Sequence, residues 1–164
     1  MNIRYYYFID EFNKKEIEKL SSQISLIYRN YNKKNDPKEL RKLVIYCKNN
    51  RRKVYISNNL KDGIKYNFDG LYIPSFHKQL RFHNIIKKNF EIIGSAHNAI
   101  ELKIKEKQGC TVIFLSPIFK NNKNKKFLDV IKTNLLKKLT KNQIVLLGGI
   151  NQKYIKKSKL CAPS

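Results

Sequence analysis

The chain has no apolar run approaching the roughly 18–20 residues that a membrane-spanning helix requires. Nor does its start read as an export signal. "MNIRYYYFIDEF" lacks a basic head, a long apolar stretch and a small-residue cleavage site, and reads as a first strand. Both absences point to a cytoplasmic protein with no membrane partner. Cysteine is scarce too: Cys47, Cys110 and Cys161 are far apart, odd in number and in no C-x-x-C spacing. That excludes a disulfide framework and fits reduced thiols, with Cys47 and Cys110 in apolar, core-like contexts.

Arginine is also short. The net charge of +23 invites a nucleic-acid reading, yet only six of the 35 basic residues are arginine. Bidentate reading of bases and phosphates favours arginine over lysine. Lysine, asparagine, isoleucine, tyrosine and phenylalanine share A/T-rich codons, so a biased genome produces this composition without an anionic partner. The sequence therefore predicts no specific nucleic-acid partner, only weak, salt-sensitive binding of polyanions. No linker or low-complexity block interrupts the chain, so residues 1–164 read as one domain.

What is present is alternation. Greasy, strand-like runs recur at 5–10, 25–31, 53–57, 70–73, 90–95, 110–116 and 143–148. Helical segments fall between them at 13–24, 36–50, 59–66, 78–89, 98–109 and 125–139, with a last one at 151–159. The 13–24 segment spaces Ile17, Leu20 and Ile24 as one helix face. The 36–50 segment opens with Asp36 as N-cap, Pro37 at the first helical position and Glu39 three residues after the cap. Continuous apolar strands alternating with helices imply parallel strands, either in an open doubly wound sheet or in a barrel.

In both architectures ligands bind at the carboxyl ends of the strands. Those ends carry Asp10 and Glu11; Arg29; Ser57, Asn58 and Asn59; Pro74 and Ser75; Ser95 and His97; Ser116; and Gly148, Gly149 and Asn151. Hydroxyls, amides, one arginine and one histidine suit a small phosphorylated ligand. The Gly148–Gly149 pair, followed by Ile150 and a helical segment, would offer backbone N–H groups that phosphate can approach; a tight turn is the alternative. His97 is placed to relay a proton near neutral pH, or else to cap the next helix. His77 and His83 read as surface residues, and the histidines with Asp10 or Asp69 show no zinc spacing.

Taken in order, the motifs resemble the thiamin phosphate synthase/TenI superfamily of (β/α)₈ barrels. "YYYFID" is similar to the family's first strand, "IYRNYNKK" to its second, "VYISNN" to its third and "FDGLYIPS" to its fourth. "IIGSAHN" is similar to its Gly-x-Ser-x-His, "LSPIFKNNKNK" to its Gly-Pro-Ile-Phe loop and "VLLGGIN" to its phosphate loop. The resemblance implies an α/β, parallel TIM-type barrel. Here it holds about seven βα units and lacks the eighth strand, since "KLCAPS" stands where that strand should begin. Truncation, pairing with a second copy and degeneration would each account for the gap.

The resemblance also implies function. Synthases join an aminopyrimidine diphosphate to a thiazole phosphate with Mg²⁺. TenI-like members tautomerise a thiazole phosphate carboxylate through a histidine. In this chain Arg29 is kept, but Ile27 replaces glutamine and Tyr31 a charged residue. The two metal-binding aspartates fall at Asn58 and His77, which removes the hard oxygen ligands Mg²⁺ needs. His97 is retained with one residue fewer before it, and "LYIPS" is nearer the TenI-like pattern.

The expectation is a TenI-like tautomerase that takes a small phosphorylated heterocycle and needs no cofactor, with Mg²⁺ required only if the synthase reading holds. His97 would be catalytic. Gly148, Gly149 and Ile150 would hold phosphate, and Arg29, Asn58, Ser95 and Lys123 (or Lys125) would bind substrate, with no metal site. A synthase and a non-catalytic binder or regulator are the alternatives.

Overall fold

The computed structural model describes residues 4–31, 34–80, 82, 89–116 and 128–147. Seven strands form one sheet: β1 (Tyr5–Ile9), β2 (Ile24–Tyr28), β3 (Val54–Ser57), β4 (Gly70–Ile73), β5 (Glu91–Ala96), β6 (Val112–Leu115) and β7 (Gln143–Leu146). Five helices lie between them: α1 (Lys14–Glu18), α2 (Pro37–Asn49), α3 (Leu60–Lys65), α4 (Ala99–Lys107) and α5 (Asp129–Lys138). Every neighbouring pair of strands is parallel, and their order in space is their order in sequence. A doubly wound sheet would reverse its order at a switch point. This one does not, so the barrel reading holds.

Ring contacts show how far the sheet curls. In a flat sheet β1 and β6 would lie roughly 24 Å apart, at about 4.8 Å per strand. Instead the Tyr6 and Phe114 rings meet edge-on at 4.9 Å, and Phe8 lies 5.3 Å from Tyr72 of β4. The inner face thus closes over Ile27, Tyr55, Tyr72, Ile93, Val112 and Phe114, with Tyr6, Phe8, Val145 and Leu147 packed against them. The alternate residues, among them Leu26, Tyr28, Val54, Ile56, Leu71, Ile73, Ile92, Ile113 and Leu115, face the helices. Among the described residues β1 and β7 do not pair, so these seven strands leave the sheet open between them.

The floor of the barrel is polar. Tyr55, Gly70 and Glu91 stand in register on β3, β4 and β5. The Tyr55 ring passes over Gly70 and donates its hydroxyl to Glu91 at 2.6 Å. Glu91 also accepts from Arg4 at 2.6 Å and from the Thr111 hydroxyl at 2.9 Å. Burial pushes the Glu91 carboxyl up, but the hydrogen bonds from Tyr55, Arg4 and Thr111 together outweigh it and hold the carboxyl below its usual range. A carboxyl depressed in the folded state stabilises the protein above its unfolded pKa, and that contribution is lost as pH falls through the folded value. Glu91→Gln should therefore cost about 1.5–3 kcal/mol at pH 7. The deficit should shrink as both proteins are melted at successively lower pH below the ordinary carboxylate range. A constant deficit would show that Glu91's charge contributes nothing.

Several local expectations are corrected. The 13–24 helix stops at Glu18, and Ile24 belongs to β2. The reason lies far away in sequence: the buried Arg52 guanidinium donates to the carbonyls of Leu20, Ser21 and Ile24 at 2.8–3.0 Å, withdrawing them from any helical ladder. Asp36 does cap α2, accepting from Lys38 N at 3.0 Å behind Pro37. Glu39 does not close a capping box. Its carboxylate accepts from Phe12 N at 2.7 Å and the Tyr28 hydroxyl at 3.5 Å, tying α2 to the ends of β1 and β2. The proposed 78–89 helix falls mostly outside the described residues, and 78–80 are not helical. The final segment at 151–159 lies wholly outside them. Cys47 and Cys110 are buried, as expected of core residues, and burial pushes each thiol up to about 12. Among the described residues no helix is long and apolar enough to cross a membrane.

Candidate functional site

Because all seven strands are parallel, their carboxyl ends share one rim. Arg29 follows β2 and leaves the sheet with its amide donating to Ile9 O at 2.7 Å. Its guanidinium carbon sits 4.4 Å above the Phe8 ring and 5.9 Å from the Tyr31 ring. Among the described residues no carboxylate pairs with it. A cation steadied on aromatic faces and left without an acidic partner is suited to receive an anion. Tyr31 in turn bonds the Ser57 hydroxyl at 3.1 Å and meets Phe76 at 6.1 Å, so aromatic rings border this side of the mouth.

Ser95 points inward at the top of β5 and is nearly fully buried. The Tyr72 phenol reaches it, with Arg29 and Tyr31 close by. Burial raises the phenol's pKa, and the contacts with Ser95 and Arg29 oppose that only in part. Asn58, by contrast, is exposed in the turn after β3, with φ of 55° and its backbone N–H donating to Tyr72 O at 2.9 Å. The left-handed backbone explains the asparagine, which tolerates that region better than most residues.

His97 closes the opposite side. Its Nδ1 contacts the Ser116 carbonyl oxygen, and its Nε2 lies 2.9 Å from the Ser75 hydroxyl. A carbonyl oxygen only accepts, so Nδ1 carries the proton and Nε2 is the basic nitrogen, receiving the Ser75 O–H. Asn98, not His97, caps α4: its side chain accepts from Glu101 N at 2.9 Å, while Glu101 accepts from His97 N at 2.7 Å. The capping alternative for His97 thus applies only to its backbone. The imidazole itself faces Ser75 and Ser116.

Sequence reasoning placed Arg29, Ser95 and His97 at strand ends, and the fold brings all three to one mouth. It did not identify Ser75, Tyr31 or Tyr72 as partners, because their contacts join separate loops and strands that no local pattern relates. His77 is corrected: it is half-buried, its ring lies 5.1 Å from Phe82, and its carbonyl accepts from Lys105 at 2.8 Å and Gln108 at 2.9 Å. Lys123, Lys125, Gly148, Gly149, Ile150, His83 and Cys161 lie outside the described residues. Among the described residues no three His, Cys, Asp or Glu side chains group so as to hold a metal ion. A separate groove of about 600 Å³, lined by Asp10, Glu11, Asn30, Asp36 and Glu39 among others, opens between the residues that follow β1 and β2 and the start of α2.

No protein-family model matches the sequence, and no curated protein matches it. Solved structures do match. A thiamine phosphate pyrophosphorylase from Pyrococcus furiosus superposes over 94% of this chain and 79% of its own, with a TM-score of 0.70 at 16% identity. FabK from Thermotoga maritima matches 79% of this chain and 44% of its own, with a TM-score of 0.60 at 12% identity. The U32 peptidase Mk0906 matches 92% and 70%, with a TM-score of 0.60 at 10% identity. At such identities the shared property is the fold: this chain has the architecture of a TIM-type α/β barrel, of the kind that a thiamine phosphate pyrophosphorylase also adopts.

Proposed function

We propose that the protein is a TenI-like member of thiamin metabolism that binds a thiazole phosphate carboxylate at the mouth and moves a proton on it through His97. The observation that carries this reading is the imidazole itself, fixed in one tautomer by Ser116 with its basic nitrogen turned toward Ser75, on the same rim as Arg29. A tautomerisation needs one group that removes a proton from one atom of the ligand and returns it to another, with no net redox change. His97 Nε2 is that group. The imidazolium formed in between keeps its Nδ1–H on the Ser116 carbonyl, and the Ser75 hydroxyl, both donor and acceptor, passes the proton at Nε2.

Arg29 takes the ligand's carboxylate and the aromatic faces of Tyr31 and Phe76 border its ring. The phosphate is assigned to the Gly148–Gly149 pair that follows β7 in the sequence. Arg29→Met should weaken binding of the thiazole phosphate carboxylate by about 10–100-fold, the worth of one charged hydrogen-bonded contact. Titration calorimetry reads this directly, and equal affinity in the variant would remove Arg29 from the site.

The likeness to a thiamine phosphate pyrophosphorylase favours a second reading, the synthase reaction. Two features weigh against it. Asn58 carries an amide where a carboxylate is needed, and His77 carries an imidazole, packed 5.1 Å from the Phe82 ring, where the second carboxylate is needed. Incubation of an aminopyrimidine diphosphate and a thiazole phosphate with Mg²⁺ decides between the readings: diphosphate release would replace the tautomerase proposal. Ligand binding without turnover of either kind would make the protein a binder or regulator.

A further inference from the structure

Helix α4 buries a residue that hydropathy would leave in water. Lys105 is fully buried, while Ile100 on the same helix is 75% exposed. The Lys105 ammonium donates to three oxygens: Pro74 O at 2.7 Å, His77 O at 2.8 Å and Gln108 Oε1 at 2.9 Å. Gln108, also fully buried, donates its amide to His77 O at 2.9 Å and Gln79 O at 2.8 Å. Together the two side chains supply five hydrogen bonds, four of them to carbonyls of the segment that follows β4.

The sheet is shaped to admit this pair. A Cβ at Gly94 would lie 2.9 Å from both the Lys105 Cδ and the Cys110 Sγ, and 3.0 Å from Ile73 O, so only glycine leaves a path for the lysine stem. Burial lowers the Lys105 pKa to about 8, and three oxygen acceptors require the three N–H bonds that only the ammonium has. A buried charge with every proton placed holds its surroundings in one arrangement.

The segment held in this way contains Ser75, between the pinned carbonyls of Pro74 and His77. Ser75 is the residue whose hydroxyl meets His97 Nε2. We propose that Lys105 and Gln108 form a buried latch that fixes the 74–79 segment and, through Ser75, sets the hydrogen bond at the basic nitrogen of His97. They are positioning residues, since neither touches the mouth. The importance of His97 rests on the function proposed above. The latch does not, and it can be read without substrate.

The test is nitrogen NMR of the full chain labelled at histidine, with His97 assigned by comparison with His97→Asn. Ser75→Ala should displace the His97 Nε2 resonance by removing its donor. Gln108→Glu keeps an acceptor for Lys105, and so keeps the fold, but takes away both donors to His77 O and Gln79 O. It should displace Nε2 in the same direction as Ser75→Ala, and the double variant should add nothing. Lys105→Met should do likewise if it folds; if it does not, Gln108→Glu decides. Where turnover is measured, Gln108→Glu should lower kcat about tenfold with KM little changed, as misplacement of a catalytic group does.

A wild-type Nε2 resonance in folded Gln108→Glu, or displacements that simply add in the double variant, would overturn the latch. So would an Nε2 resonance that Ser75→Ala leaves unmoved. If Nε2 responds as described but His97→Ala keeps full turnover, the latch stands and the proposed chemistry fails.

Discussion

His97→Ala should reduce the proposed tautomerase turnover by about 10²–10⁴-fold, the range that a positioned proton carrier contributes, while leaving the melting temperature close to that of the parent. The two effects separate because of where the side chain sits. His97 is exposed at the mouth, and among the described residues its ring bonds only rim groups, Ser75 and Ser116. The capping contacts that hold α4 come from Asn98, Glu101 and the His97 backbone, all of which survive the substitution. Affinity for the ligand should change far less than turnover, because Arg29 and the segment after β7 are assigned the charged groups. Full turnover in a folded His97→Ala protein would end the catalytic assignment.

The largest structural effect is expected at Gly70. A methyl group there would come 2.1 Å from the Glu91 carbonyl oxygen and 2.7 Å from the Tyr55 ring. The obstacle is backbone on one side and a fully buried aromatic on the other, so neither yields cheaply. Relieving the clash would push Tyr55 off its path to Glu91 and break the 2.6 Å hydrogen bond that anchors the barrel floor. Gly70→Ala should therefore cost about 3 kcal/mol or more, at the upper end for overpacking. A domain of this size should then melt about 6–12 °C lower. A calorimetric scan that showed an unshifted transition would mean that the floor is not packed as described.

Much of the fold was legible in the residues themselves. Continuous apolar runs such as "VIFL" and "GLYI" announce buried parallel strands, and the Asp36–Pro37 start of α2 is a local signal that tertiary contacts had no reason to override. The errors came where a distant side chain intervened. Arg52 ends α1 early by capturing the carbonyls of Leu20, Ser21 and Ile24, and Glu39 leaves its own helix end to serve Phe12 and Tyr28. No local pattern carries either fact.

The site divides in the same way. Arg29, Ser95 and His97 could be placed from their positions after strands, because parallel strands send their ends to one rim. Nothing in "IIGSAHN" says which nitrogen of His97 is basic; that depends on Ser116, nineteen residues on. Lys105 was hidden for the opposite reason. A lysine in "ELKIKEK" looks like solvent-facing charge until Gly94 and the carbonyls of Pro74 and His77 are seen around it.

The central claim is that one mouth presents Arg29 and the basic nitrogen of His97 to a single phosphorylated heterocycle. A structure of the protein crystallised with thiazole phosphate carboxylate tests it most directly. The account predicts the ring against Tyr31 and Phe76, its carboxylate on the Arg29 guanidinium, and a carbon or ring nitrogen within proton-transfer reach of His97 Nε2 or the Ser75 hydroxyl. Ligand bound instead in the groove between Asp10 and Glu39, or a mouth left empty at saturating concentration, would contradict it.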